Sequence, residues 1–207
     1  MAAKIDLGKE ISRGWELFKE PGNIPLLVIV NLLAGIISLV TCGILAGPMM
    51  AGVLRIIQRL VDKDPVKPQI GDLFKGFDKF VDTLLFIVAI LVVGGILSFI
   101  PVIGQIATGV LGLFVVVGLM FVVIGKMSFA DALKKIAAEA QTGPFWTLIL
   151  TVFVANMISS AGIIACIIGV FFTAPLALCI NVCAFNSAYS PAIPLEIPPP
   201  ADTPPAP

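Results

Sequence analysis

Between Asp82 and Lys126 the chain runs 43 residues, Thr83 to Gly125, without a charged side chain. A helix rises ~1.5 Å per residue, so ~20 apolar residues cross a ~30 Å hydrocarbon core. The run is twice that length, and Pro101-Val102-Ile103-Gly104 places a turn signal near its middle. The spacing predicts a helical hairpin that enters a bilayer and returns. Similar charge-free runs lie on either side, 34 residues from Pro21 to Leu54 and 45 from Phe145 to Tyr189.

The rest of the composition agrees. A chain of 207 residues could form one soluble domain, but 58 % apolar and 13 % charged residues describe a polytopic membrane protein. The formal net charge is zero, which leaves no basic footprint for nucleic acid. Histidine is absent, and with it the commonest metal ligand and general base. The four cysteines form no CxxC pair. The first twenty residues are charged and amphipathic, unlike a cleaved leader.

Each charge-free run follows an amphipathic segment. In residues 5–20, Leu7, Ile11, Trp15 and Phe18 fall on one helical face, and Pro21-Gly22-Asn23 ends the element. From Ile70, a stripe of Ile70, Leu73, Phe74, Phe77 and Phe80 or Val81 opposes Asp72, Lys75, Asp78, Lys79 and Asp82. Ser128 and Asp131 start a third helix, with Phe129, Leu133, Ile136 and Ala140 on its apolar face. The expected fold is therefore all-α: a polytopic membrane helical bundle of about six transmembrane helices. These form three hairpins, each preceded by an interfacial amphipathic helix. The stripe residues Phe18, Phe77 and Ile136 are 59 apart each time, so 5–61, 66–125 and 128–189 read as parallel repeats in one domain, 1–189. Residues 190–207 hold eight prolines and read as a disordered cytoplasmic tail.

The hairpin turns are expected at Cys42-Gly43, near Pro101 and at Ser160-Ala161-Gly162, and none carries lysine or arginine. All 13 basic residues lie in the intervening segments, and the positive-inside rule puts both termini in the cytoplasm of a cell (inner) membrane. The first return leg is awkward. Ile44 to Leu54 makes only ~16 Å of helix, and extension to Val61 takes in Arg55, Gln58 and Arg59 on one face. Either the arginines snorkel to the headgroups or the hairpin is re-entrant.

The runs contain no acid, base or nucleophilic dyad, which argues against a pump, a proton-coupled carrier or an enzyme. No catalytic residue, cofactor or metal site is expected. Arg55 and Arg59 are candidates for a lipid headgroup. Gly47, Pro48, Gly52 and Pro175 form a helix-break or packing motif, each proline freeing the carbonyl four residues back. Asn31, Asn156 and Asn181 lie deepest among the polar side chains, either bonding across helices or marking a polar path. Cys179 and Cys183, at i and i+4, read as buried filler. Cys42 and Cys166 both fall near charge-free turns, where a disulfide would need an oxidising face.

Three short motifs carry a resemblance: Gly14-Trp15-x-Leu17-Phe18-Lys19, Gly47-Pro48-x-x-x-Gly52 and Asp72-Leu73-Phe74-x-Gly76-Phe77. Over roughly residues 5–189 the chain resembles a broad group of bacterial multi-pass inner-membrane proteins. It is also similar in style to the membrane domain fused to some glycerophosphodiester phosphodiesterases. The resemblance implies an integral inner-membrane fold and brings no catalytic residues, and the acidic metal site of the phosphodiesterase domain is absent. The function expected is a non-enzymatic scaffold or accessory protein for membrane lipids, other membrane proteins or a second copy of itself. The alternative is a passive channel or small-solute transporter built from parallel repeats.

Overall fold

A computed structural model describes residues 6–97, 99–100, 102–165 and 169–189. The described chain is all-helical. Its α-helices are α1 (Leu7–Lys19), α2 (Asn23–Val40), α3 (Ala46–Val61), α4 (Phe80–Leu97), α5 (Ile103–Val123), α6 (Phe129–Glu139), α7 (Gly143–Ala165) and α8 (Val170–Tyr189). A 3-10 helix, Ile70–Lys79, leads straight into α4.

The ends of these elements follow from local chemistry. The Asp6 carboxylate caps α1 by accepting from the amides of Gly8 and Lys9. Gly22, at φ 93°, turns the chain into α2, and buried Asn23 donates back to the Leu17 carbonyl at 2.8 Å. Cys42 and Gly43 both take positive φ at the turn between α2 and α3, where the sequence places one. Ser128 caps α6 by accepting from the Asp131 amide.

The third turn is displaced. Helix α7 continues through Ser160-Ala161-Gly162 to Ala165. The Ser160 hydroxyl donates to the Asn156 carbonyl at 2.9 Å, so the polar side chain is satisfied inside the helix instead of ending it.

Among the described residues, five helices are long and apolar enough to cross a membrane: Asn23–Val40, Ile70–Leu97, Gly104–Val123, Gly143–Ser160 and Phe171–Tyr189. The expected sixth, α3, has 16 residues, about 24 Å. It is instead the centre of the core: Met49, Ala51, Val53, Leu54, Ile56 and Ile57 are all at most 1 % exposed. The return leg is short because α3 is surrounded by protein, packed against α2, the 3-10 helix, α4, α5 and α8.

Two strongly apolar stretches are barely covered by protein, although α5, as apolar as Ile70–Leu97, is 44 % buried. The most apolar stretch of Ile70–Leu97 is 11 % buried and that of α2 is 17 % buried, whereas the less apolar α8 stretch is 50 % buried. Leu39, Val40, Leu91, Ile96 and Phe99 stand outward. Several long helices whose most apolar faces point away from the core suggest a multi-pass membrane protein.

Two amphipathic stripes sit differently from their sequence reading. Helix α1 buries Glu10, Gly14 and Phe18, while Trp15 is half exposed. The helix turns this way because Gly14 lies flat on the Ile180 backbone of α8, where a β-carbon would fall 2.8 Å from the Ile180 Cα. The 3-10 helix buries Asp72, Leu73 and Gly76 against α3 and leaves Ile70, Phe74 and Phe77 outside. At three residues per turn, Phe74, Phe77 and Phe80 form a row, with ring centroids 6.5 and 6.2 Å apart. The period-related positions therefore differ in environment: Phe18 and Ile136 are buried and Phe77 is exposed.

Candidate functional site

The C-terminal half of α3 carries Arg55, Gln58 and Arg59 on one face, as their spacing requires. That face opens into a cleft of about 600 Å³ lined by Arg55, Gln58, Arg59, Asp62, Asp78, Lys79, Val123, Ile124 and Lys126. Helix α3 brings the arginines, the 3-10 helix brings Asp78 and Lys79, and the end of α5 brings the last three.

Both arginines are committed to the protein. Arg59 donates through Nε to Asp64 Oδ2 at 2.9 Å, through Nη1 to Asp72 Oδ2 at 2.7 Å and through Nη2 to the Val66 carbonyl at 3.1 Å. One guanidinium thus ties α3 to the returning segment 62–69 and to the 3-10 helix, using the planar fork that arginine offers. Arg55 donates through Nη1 to the Lys75 carbonyl and pairs with Asp78 Oδ1 at 2.8 Å. The arginines offered by the sequence as headgroup ligands are latches that hold the 3-10 helix on α3.

Asp72 is the other half of the latch, not a solvated residue. Its carboxylate receives Arg59, the Lys75 ammonium at 2.6 Å and the Gln69 amide at 2.9 Å. The amide of Val66 and then Arg59 hold the Asp64 carboxyl below its ordinary pKa. Across the cleft mouth, Gln58 donates to Asp62 at 2.9 Å and accepts from Asn186 of α8 at 2.9 Å.

The lysines are less occupied. Lys79 Nζ donates to the Met127 carbonyl at 3.3 Å and lies 3.7 Å from Asp82 Oδ2. Lys126 is exposed at φ 55°, in the position after α5 that glycine commonly takes. The Met127 amide there reaches back to the Phe121 carbonyl at 3.3 Å. Sequence reasoning missed both lysines, although Lys126 is the first charge after the central 43-residue charge-free run.

The small-residue motif is a packing device. Gly47 and Gly52 sit where α3 meets Thr83 and Leu73. Pro48 occupies the first turn of α3, where its missing N–H is no loss, and it neither kinks nor breaks a span. Pro175 lies inside α8, which continues through it to Tyr189. Nearby, the Thr173 hydroxyl donates to the Ser159 carbonyl of α7 at 3.0 Å.

The three asparagines are on three different helices, and no hydrogen bond joins them among the described residues. Asn31 donates to the Leu27 carbonyl at 3.1 Å and Asn156 to the Val152 carbonyl at 2.8 Å, each within its own helix. Asn181 is 2 % exposed, and its Oδ1 has no partner among the described residues. Cys179 and Cys183 are buried free thiols and Cys42 is an exposed one. Cys166, the 190–207 tail and Pro101 lie outside the described residues.

Comparison with protein-family models, with curated proteins and with solved structures finds no match to this chain. The short glycine-containing motifs therefore carry no family assignment.

Proposed function

We propose that this chain is a lipid-embedded, non-enzymatic scaffold or accessory protein, with its charged end at the cytoplasmic face of a cell (inner) membrane. The observation that carries this reading is the bare apolar surface of two long helices: the apolar stretches of Ile70–Leu97 and Asn23–Val40 are only 11 % and 17 % buried. A bilayer is the solvent such faces require. All described charged side chains belong to residues 6–20, the end of α3, the segment 62–82 and the stretch 126–139. In a run of alternating crossings those segments fall on one side.

In this reading α4 and α5, and α7 and α8, are full double crossings. Helices α2 and α3 form a third hairpin whose return leg is sheathed in protein. The exposed rings of Trp15, Trp146, Phe74 and Phe77 lie at the headgroup level. Its partners are membrane lipids, and other membrane proteins or a second copy through the open faces of α2 and α4. A passive pore gains no comparable support, since Asn31 and Asn156 spend their amides on their own helices.

Alkaline carbonate extraction tests the core of the proposal. The protein is expected to stay in the membrane pellet, and release into the aqueous supernatant would overturn it. A C-terminal phosphatase fusion is expected to be inactive and a C-terminal cytoplasmic fluorescent fusion bright. The opposite pair of results reverses the orientation. Mass spectrometry of co-purifying lipids and proteins then identifies what is scaffolded.

A further inference from the structure

We infer that Lys79 and Lys126 form a seat for a phosphate monoester at the mouth of the α3–α5 cleft, with the phosphate carried on a lipid. This inference rests on the membrane reading above and names the lipid class it serves.

The charge balance points to an anion. The lining holds four cations, Arg55, Arg59, Lys79 and Lys126, against two carboxylates, Asp62 and Asp78. The C-termini of α3 and α5 add roughly half a negative charge each, and Asp64, Asp72 and Asp82 pair with cations from behind the lining, so any pull on an anion is local to the cations left least neutralised. Hydrogen bonding then decides which cations are free to act. The arginines are spent on Asp64, Asp72, Asp78 and two carbonyls. Asp62 is engaged by Gln58. Lys79 has one carbonyl at 3.3 Å and a loose ion pair with Asp82 at 3.7 Å, too long for a hydrogen bond. Lys126 bonds to nothing described. Because Lys79 reaches the Met127 carbonyl, its ammonium lies beside the turn that bears Lys126. Two lysine heads thus flank one opening, able to meet a dianionic phosphate as point charges.

The floor of the same cleft selects a lipid. Val123 and Ile124 line it, near the end of the 43-residue charge-free run Thr83 to Gly125. A ligand with its phosphate at the lysines would lay its glycerol and first methylenes on these side chains. A phosphomonoester headgroup presents the higher charge and is favoured over a phosphodiester one, while a choline headgroup brings a cation towards the two lysines.

The test is native mass spectrometry of the full chain in neutral detergent. The probes are dioctanoyl phosphatidate, dioctanoyl phosphatidylcholine and inorganic phosphate. Phosphatidate is expected to bind at least about tenfold tighter than phosphatidylcholine. The Lys79→Gln/Lys126→Gln pair is expected to remove that preference, and Lys134→Gln, outside the cleft, to keep it. Lys126→Gln alone should also weaken phosphatidate binding while its melting temperature matches the parent, because that side chain bonds to nothing described, so binding lost there is not lost folding. Phosphatidate preference unchanged in the double variant, or equal binding of the two lipids, overturns the proposal. Inorganic phosphate binding as tightly as phosphatidate, through the same two lysines, would overturn the lipid assignment and give the seat to a soluble phosphate. Failure of carbonate extraction would sink the membrane reading without touching the binding result.

Discussion

Gly52 on α3 faces the backbone carbonyl of Leu73 with no room between them for a β-carbon, and Gly76 stands in the same relation to the carbonyl of Pro48. Two chain segments meet here backbone to backbone, and the arginine latches lie alongside. Gly52→Ala and Gly76→Ala should each destabilise the protein by about 1–3 kcal/mol or more, because neither neighbour is a movable side-chain tip. Gly71→Ala, in open space on the same 3-10 helix, should leave stability unchanged. Thermal unfolding in detergent, followed by tryptophan emission, compares the three. A Gly52→Ala melting point equal to that of Gly71→Ala would refute the close approach.

Arg59→Lys keeps the charge and loses the fork. The lysine cannot reach Asp64, Asp72 and the Val66 carbonyl together. A loss of about 1–2 kcal/mol is expected, concentrated in the 62–79 segment. Hydrogen exchange should quicken at the amides of Val66, Gln69 and Asp72 while α8 stays protected. Uniform acceleration across the chain would contradict a local latch.

Asp64 and Glu139 both have depressed carboxyl pKa values. The Val66 amide and then Arg59 act on the first, and Lys135 and then Thr142 on the second. A carboxyl whose folded pKa lies below its unfolded value, ordinarily about 4, stabilises the fold above that unfolded value. The contribution disappears as pH falls through the folded pKa. Melting temperature should therefore be flat between about pH 6 and 8, where a chain without histidine has little to titrate, and should fall below about pH 4. A transition near neutrality would point to a group not described here.

Asn181 buries an Oδ1 without a described partner. Asn181→Leu, similar in volume, should be neutral or stabilising by up to about 1 kcal/mol, since it removes an unpaired acceptor. If the side chain instead lined a solute path, the same change would alter flux in liposomes. Unchanged melting together with altered flux would revive the transport alternative.

Much of the helix layout was legible in the sequence. Residues 5–20 became Leu7–Lys19, Ser128 became a cap, and Cys42-Gly43 became a turn. These are local signals of charge, glycine and spacing. The misreadings share a physical source. An apolar stripe says which face avoids water, but not which face meets protein when the surroundings are apolar too. Gly14, Gly52 and Gly76 decided that by allowing backbones to touch, and so Trp15 and Phe77 turned outward. The arginines were visible on one face. Their carboxylates were not, because Asp72 reaches Arg59 only after the chain doubles back through 62–69.

The first helix is clasped by the last. Arg13 and Glu10 of α1 both bond Ser187 of α8, with Glu10 and Ser187 separated by 177 positions in sequence. A ribosome delivers the chain from its amino end, so α1 emerges long before its seat exists. Until nearly all of α8 has been made, Glu10 and the bare backbone at Gly14 have no place to go. Assembly of this bundle thereby waits on α8, and a message broken before the codons of α8 would yield a product in which Glu10 and Gly14 stay unseated.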